Sequence, residues 1–286
     1  VTGVQTCALP ISRFQSWLKA PSHTLIMGIL NVTPDSFSDG GKFADRKIAR
    51  DHALQMIDEG ADMIDIGGES SRPGAEPVSM DEELNRTIPV IEAIRQKSDC
   101  LISIDTYKPT VAKAALDAGA DMVNDISGFT FDNGMAPLVA KRNVPVILMH
   151  IKGIPRDMQK DPHYDNLMRE IRQFFKNQVA SAKAKGVSDE MIILDPGIGF
   201  GKRLEDNFEI IRELRQICAM GYPVLLGPSR KSFIGTVLDL PVEERLEGTL
   251  ASITAGIING AKMVRVHDVK ETRRAVTITE KIMGMI

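Results

Sequence analysis

Gly60-Ala61-Asp62-Met63-Ile64-Asp65-Ile66-Gly67-Gly68 decides the fold. Glycine is the natural left-handed residue at the end of a helix, and the apolar pair after it is of the kind that opens a buried strand. The stretch therefore reads as a joint between a helix and a strand. The same joint recurs as Gly119-Ala120-Asp121-Met122-Val123 and as Gly260-Ala261-Lys262-Met263-Val264. A joint used three times marks repeated βα units. Five positions after each glycine stands a polar residue: Asp65, Asn124 and Arg265. If the units superpose, these side chains share one direction, and polar groups on buried strands need partners. The repeat predicts a polar cavity.

Outward from these joints, short apolar runs over Leu25–Leu30, Met63–Ile66, Leu101–Ile104, Met122–Ile126, Val144–Met149, Met191–Leu194, Val224–Leu226 and Met263–Val266 make eight candidate strands. Apolar residues at spacings of three and four predict helices between them, over Ile48–Glu59, Leu84–Gln96, Asn166–Lys185, Phe208–Cys218 and Glu244–Asn259. Strands alternating with helices give an α/β fold, and eight strands favour a closed (β/α)8 TIM barrel over a doubly wound open sheet. The barrel takes residues 23–286. Residues 1–22 fit no element of this scheme and are read as an N-terminal extension without function.

At 286 residues, with 43% hydrophobic and 26% charged side chains, the chain has the composition of a soluble globular protein rather than a disordered one. Lys plus Arg number 35 and Asp plus Glu 38, a net charge of −3 that leaves no basic footprint for nucleic acid. Cys7, Cys100 and Cys218 are odd in number and far apart, which argues against a disulfide framework or a thiolate metal site and for the reducing cytoplasm. No apolar run nears the roughly 18 residues that span a bilayer, and the N-terminus lacks a signal-peptide layout.

Barrels of this kind carry their chemistry at the C-terminal ends of the strands. Those places hold Asn31 and the following loop with Phe37 and Asp39, then Gly67 to Gly74, Asp105, Asn124, His150, Asp195 to Lys202, Ser229 to Ser232, and Arg265 with His267. Two carboxylates and an amide, Asp105, Asp195 and Asn124, suit a flat heterocycle with an amidine-like edge. Asp105 and Asp195 also fit as helix caps, an alternative that sequence leaves open. Arg265 and His267 lie two apart on a strand, face one side, and read as an anion pocket. The Gly197–Lys202 run lacks the spacing of a nucleotide loop and reads as a flexible active-site loop.

Several long motifs carry a family resemblance. Asn31-Val32-Thr33-Pro34-Asp35-Ser36-Phe37-Ser38-Asp39-Gly40-Gly41, Gly67-Gly68-Glu69-Ser70-Ser71-Arg72-Pro73-Gly74, Leu194-Asp195-Pro196-Gly197-Ile198-Gly199-Phe200-Gly201-Lys202 and Ser229-Arg230-Lys231-Ser232 resemble the dihydropteroate synthase family. Leu148 to Gly153 and Arg265 to Asp268 fit the same pattern. The resemblance implies a transferase that joins 6-hydroxymethyl-7,8-dihydropterin diphosphate to 4-aminobenzoate, releases diphosphate with Mg²⁺ present, and is the target of sulfonamides. It implies that Asp105, Asn124, Asp195 and Lys231 hold the pterin ring, Asn31 the metal, and Arg265 with His267 the diphosphate. It implies that Ser71, Arg72, Pro73, Phe200, Lys231 and Ser232, with Phe37 and Asp39, form the aminobenzoate region. Asp195, Asp105 and Asp39 would stabilise positive charge on the pterin methylene, and the barrels would pair as homodimers. Ser71 stands where the family usually has threonine. A corrinoid-type methyltransferase barrel and a catalytically silent pterin-binding module are the alternative readings.

Overall fold

The structure, a computed structural model, describes residues 11–33 and 41–286, so the expected site residues Phe37 and Asp39 lie outside the described residues. The elements run α1 (Ile11–Lys19), β1 (Leu25–Asn31), α2 (Gly41–Asp58), β2 (Met63–Gly67), α3 (Met80–Arg95), β3 (Leu101–Asp105), α4 (Pro109–Asp117), β4 (Met122–Asp125), α5 (Met135–Arg142), β5 (Val146–Met149) and α6 (Leu167–Ala184). They continue as β6 (Ile192–Asp195), α7 (Leu204–Arg212), α8 (Arg215–Cys218), β7 (Leu225–Leu226), α9 (Ser232–Leu238), α10 (Leu246–Ile258), β8 (Met263–Val266) and α11 (Val269–Ile282).

All eight strands pair in parallel in the order β6-β5-β4-β3-β2-β1-β8-β7. Closure comes at β6 and β7, where Leu194 bridges to Val224 and its N–H donates to the Pro223 carbonyl at 3.0 Å. The expected (β/α)8 barrel is the observed fold.

Strand alternation splits the apolar residues into two cores. Ile26, Ile64, Ile66, Ile102, Ile104, Val123, Val264 and Val266 pack outward against the helices in one cluster. The intervening Leu25, Met27, Met63, Leu101, Met122, Ile147, Ile193, Leu225 and Met263 fill the barrel's lower interior in another. Phe14, Trp17 and Leu18 of α1 belong to that second cluster at 0%, 4% and 5% exposure. Their spacing of three and four residues gives one apolar stripe, and Trp17 Nε1 donates to the His23 carbonyl at 2.9 Å. Ile11–Lys19, part of the stretch read from sequence as lying outside the scheme, thus forms a helix that plugs the barrel floor.

Sequence places one helix over Phe208–Cys218, whereas the structure has two, broken after Arg212. Asn259 Nδ2 donates to the Ile211 carbonyl at 2.9 Å, which draws that oxygen off the helical ladder. Among the described residues no helix is long and apolar enough to cross a membrane.

Candidate active site

The polar residues of the repeat meet. Arg265 donates from Nε to Asp65 Oδ2 at 2.6 Å and from Nη2 to Asp105 Oδ2 at 2.8 Å, while Asn124 Nδ2 donates to Asp65 Oδ2 at 3.0 Å. Their strands, β8, β2, β3 and β4, all end at the same face of the barrel, so side chains two residues above the apolar floor, and Asp105 four above it, converge in its interior. Asp65 Oδ1, Asn124 Oδ1 and Ser103 Oγ are buried there without a hydrogen-bond partner. A buried acceptor without a donor is costly, and three together form a site prepared for a ligand that brings N–H groups or for ordered water.

Burial dominates the protonation of this cluster. It pushes the Asp105 carboxyl up to about 7 against the pull of Arg265, and raises Asp195 against the pull of Lys231. The Lys231 ammonium is pushed down to about 8 by burial. Asp195 sits at the end of β6, where Oδ1 accepts from the Gly197 N–H at 2.8 Å. Lys231 donates to the Ile198 carbonyl, and its ammonium lies 4.6 Å from the centre of the Phe200 ring, a cation–π contact.

Ser229 Oγ accepts from the His267 backbone N–H at 3.1 Å and lies 3.0 Å from His267 Nδ1. Burial, helped by Arg265 and Arg230, lowers His267 to about 4 and keeps the ring neutral. The hydroxyl hydrogen then goes to Nδ1, and this assignment leaves Nε2–H as a donor. Arg230 is committed elsewhere, to Asp268 through Nε at 2.9 Å and Nη2 at 2.5 Å.

The structure brings Asp105, Asn124 and Arg265 into one cluster with Asp65, and Lys231 together with Phe200. Ser71 is half-buried, and Arg72, Pro73 and Ser232 are exposed on the rim. The loop of the first three touches the loop after β5, where Gly74 N–H donates to the Pro155 carbonyl at 3.2 Å, and the charge of Arg72 is felt at His267. Asn31 closes β1, and its amide oxygen lies beside Gly67, as does the Asp105 side chain. No group of three or more His, Cys, Asp or Glu among the described residues could cage a metal. A lone amide oxygen at a strand end does fit Mg²⁺, which keeps several waters and takes further ligands from substrate phosphates.

Two features escape a sequence reading of the site. The repeat singles out Asp65, yet sequence gives it no role. Lys108 Nζ donates to Glu83 Oε2 and to the Val78 carbonyl, each at 2.6 Å, and also to Glu69, tying together the two feet of the loop that bears Ser71 to Pro73. Glu83 is 1% exposed, and an acid in the first turn of a helix gives no sign of such burial in sequence. A cavity of about 440 Å³ is lined by Gln159, Gly199, Lys202, Ser232 and Phe233. A larger one, about 640 Å³, lies on the outer wall along α6 and α8 and contains none of these residues.

A (β/α)8 barrel with a polar cluster of this kind at its strand ends defines a class of ring-binding enzymes, and residues 27–267 match the model of the pterin binding enzymes. The chain belongs to the pterin binding enzyme family. Within that family it is similar to dihydropteroate synthases. The Clostridium beijerinckii enzyme is 54% identical over 261 residues, which cover 91% of this chain and 94% of the relative. A crystal structure of dihydropteroate synthase from Clostridium difficile in the presence of pteroic acid superposes with a TM-score of 0.87 at 50% identity, covering 91% of this chain and 97% of that one. The Xanthomonas albilineans enzyme with 4-aminobenzoic acid gives 0.86 at 41% identity, covering 92% and 94%.

Proposed function

We propose that this chain is a dihydropteroate synthase, joining 6-hydroxymethyl-7,8-dihydropterin diphosphate to 4-aminobenzoate with release of diphosphate. The observation that carries this reading is the buried cluster of Asp65, Asn124, Asp105 and Arg265 with its unpartnered acceptors. A pterin presents ring N–H and amino donors along one edge, which suits Asp105, Asn124 and Asp195. The ring would lie above the methionine-rich floor, with Lys231 at its carbonyl side.

In the reaction the bond between the methylene carbon and the diphosphate oxygen breaks, and the electron-rich ring spreads the positive charge left on carbon. Asp105 and Asp195 stabilise that charge electrostatically, joined by Asp39 on the strength of the family resemblance. His267 Nε2–H and the Arg265 Nη1 donors, clear of both carboxylates, face the departing anion. The arylamine attacks as the neutral amine, its nitrogen bonds to the methylene carbon, and its proton leaves to solvent. Ser71, Arg72, Pro73, Phe200, Lys231 and Ser232 place it. Mg²⁺, when bound, would be held by Asn31 with diphosphate oxygens and water, and would neutralise charge on the leaving group.

Cys100 and Cys218 are free thiols, which supports a reducing cytoplasm as the place of action. Homodimers paired through outer helices complete the proposal. Mixing the two substrates with the purified protein tests it: one diphosphate should appear per dihydropteroate, and a sulfonamide should compete with 4-aminobenzoate. Diphosphate release that yields no dihydropteroate when both substrates are present would contradict the reading.

A further inference from the structure

Lys202 is 3% exposed, and no carboxylate pairs with it among the described residues. Its three hydrogens meet three acceptors: the Phe200 carbonyl at 2.9 Å, His150 Nδ1 at 3.0 Å and the Gly197 carbonyl at 3.1 Å. Burial holds His150 neutral, so its Nδ1 can accept. An ammonium buried without a paired carboxylate is costly, and burial pushes Lys202 down to about 7; these acceptors, with the charge of Asp195, oppose that push and favour the protonated form. The side chain joins the end of β5 to the loop after β6.

That loop is fastened at every carbonyl from 197 to 201. Lys202 takes the oxygens of Gly197 and Phe200, Lys231 that of Ile198, Gln159 Nε2 that of Gly199 at 2.6 Å, and Tyr164 Oη that of Gly201 at 2.6 Å. The glycines serve this close fit rather than freedom. Gly197 and Gly201 have φ of +70° and +62°, and a Cβ on either would run into the carbonyl oxygen of His150 or of Lys152. The loop thus lies flat on the chain leaving β5. Two side chains assigned above to the arylamine depend on it, since Phe200 rides on it and Lys231 is hydrogen-bonded to it.

We propose that Lys202 is a positioning residue for the second substrate: its buried ammonium pins the Gly197–Gly201 loop to His150 and so sets Phe200 and Lys231 where the arylamine docks. The assignment rests on the synthase reading above. Lys202 touches none of Asp65, Asp105, Asn124 and Arg265, so it acts through the loop; Phe200 on that loop serves the arylamine alone, whereas Lys231 and Asp195, whose Oδ1 accepts from the Gly197 N–H, also face the pterin.

Steady-state kinetics of Lys202→Met, beside calorimetry with 6-hydroxymethyl-7,8-dihydropterin, tests this. Misplacing a substrate by about 1 Å can cost roughly 100-fold, so kcat/KM for 4-aminobenzoate should fall on the order of 10- to 100-fold, mainly through KM. Pterin affinity should fall by a clearly smaller factor, less than about tenfold, since the loop meets the ring site only through Lys231 and Asp195 and no direct contact to the pterin is removed. Lys202→Arg keeps the cation and should recover part of the loss. His150→Leu removes one acceptor and should shift KM the same way by a smaller factor, and it carries the test if Lys202→Met does not fold. A fall in melting temperature with an unchanged KM, or equal losses for arylamine and pterin, would overturn the assignment while leaving the synthase reading intact. A wild-type protein that fails to join the two substrates would overturn both.

Discussion

The lower and upper halves of the barrel interior are built on the same strands and differ by a step of two residues. Met63 lies below Asp65, Leu101 below Ser103 and Asp105, Met122 below Asn124, Ile193 below Asp195 and Met263 below Arg265. The lower set is a dry cluster closed from beneath by Phe14, Trp17 and Leu18. The upper set holds a guanidinium between two carboxylates and three acceptors without partners. Because a strand turns every second side chain inward, one residue pair per strand separates the layer that holds the barrel together from the layer prepared for a ligand. Substitutions in the two layers should therefore fail in different ways.

The largest effect belongs to Arg265→Ala. It leaves Asp65 and Asp105 buried without their cation; breaking such a pair costs about 3–5 kcal/mol of folding stability, and the carboxylates lose their placement at the ring site, on the order of 100-fold in binding. Calorimetry should show this loss for hydroxymethylpterin with and without its diphosphate, since Arg265 shapes the ring site as well as facing the anion. A loss confined to the diphosphate form would put Arg265 outside the ring site.

Trp17→Ala strikes the floor instead. Emptying a site of this kind costs about 3–5 kcal/mol and lowers the melting temperature by roughly 10 °C, while kcat well below the transition should stay as in wild type. A variant that melts normally would remove α1 from the barrel floor.

A smaller difference should appear with pH. Buried His267 titrates near 4, below the usual 6.5, so between these values the unfolded chain binds the proton that the folded one refuses. The stability it contributes is present above pH 6.5 and is lost as pH falls toward 4. His267→Asn should lose less stability than wild type over that window in paired melting curves. The raised carboxyls of Asp105 and Asp125, which act in the opposite sense, are common to both proteins. Parallel curves would mean that His267 titrates normally.

Met122→Leu is the mildest change, a volume-conserving swap that should cost less than about 1.5 kcal/mol in denaturant unfolding and leave turnover unaltered. A loss of turnover would carry the functional layer down to the floor.

The strands were legible because buried parallel strands are short apolar runs, and the αβ joints were legible because the same glycine ended three helices. That repeat also exposed Asp65, Asn124 and Arg265 as side chains with a common direction, and they meet in the structure. Lys202 was not legible. A lysine followed by Arg203 in a glycine-rich run looks solvated, and its burial depends on acceptors from Gly197, Phe200 and distant His150. The plug helix stayed hidden because nine residues offer a single short stripe, Phe14, Trp17 and Leu18, that gains meaning only against the barrel floor.

The central claim, that the polar layer one step above the floor receives the pterin, is tested most directly by Asn124→Leu beside Met122→Leu on the same strand. The measurement is calorimetric titration of both variants with 6-hydroxymethyl-7,8-dihydropterin. The Asn124 variant loses an amide at a site built to pair with a ligand's donors, so its affinity should fall by at least about 100-fold while the protein stays folded. The Met122 variant should bind as wild type does. Full affinity in folded Asn124→Leu, or equal losses in the two variants, would contradict the claim.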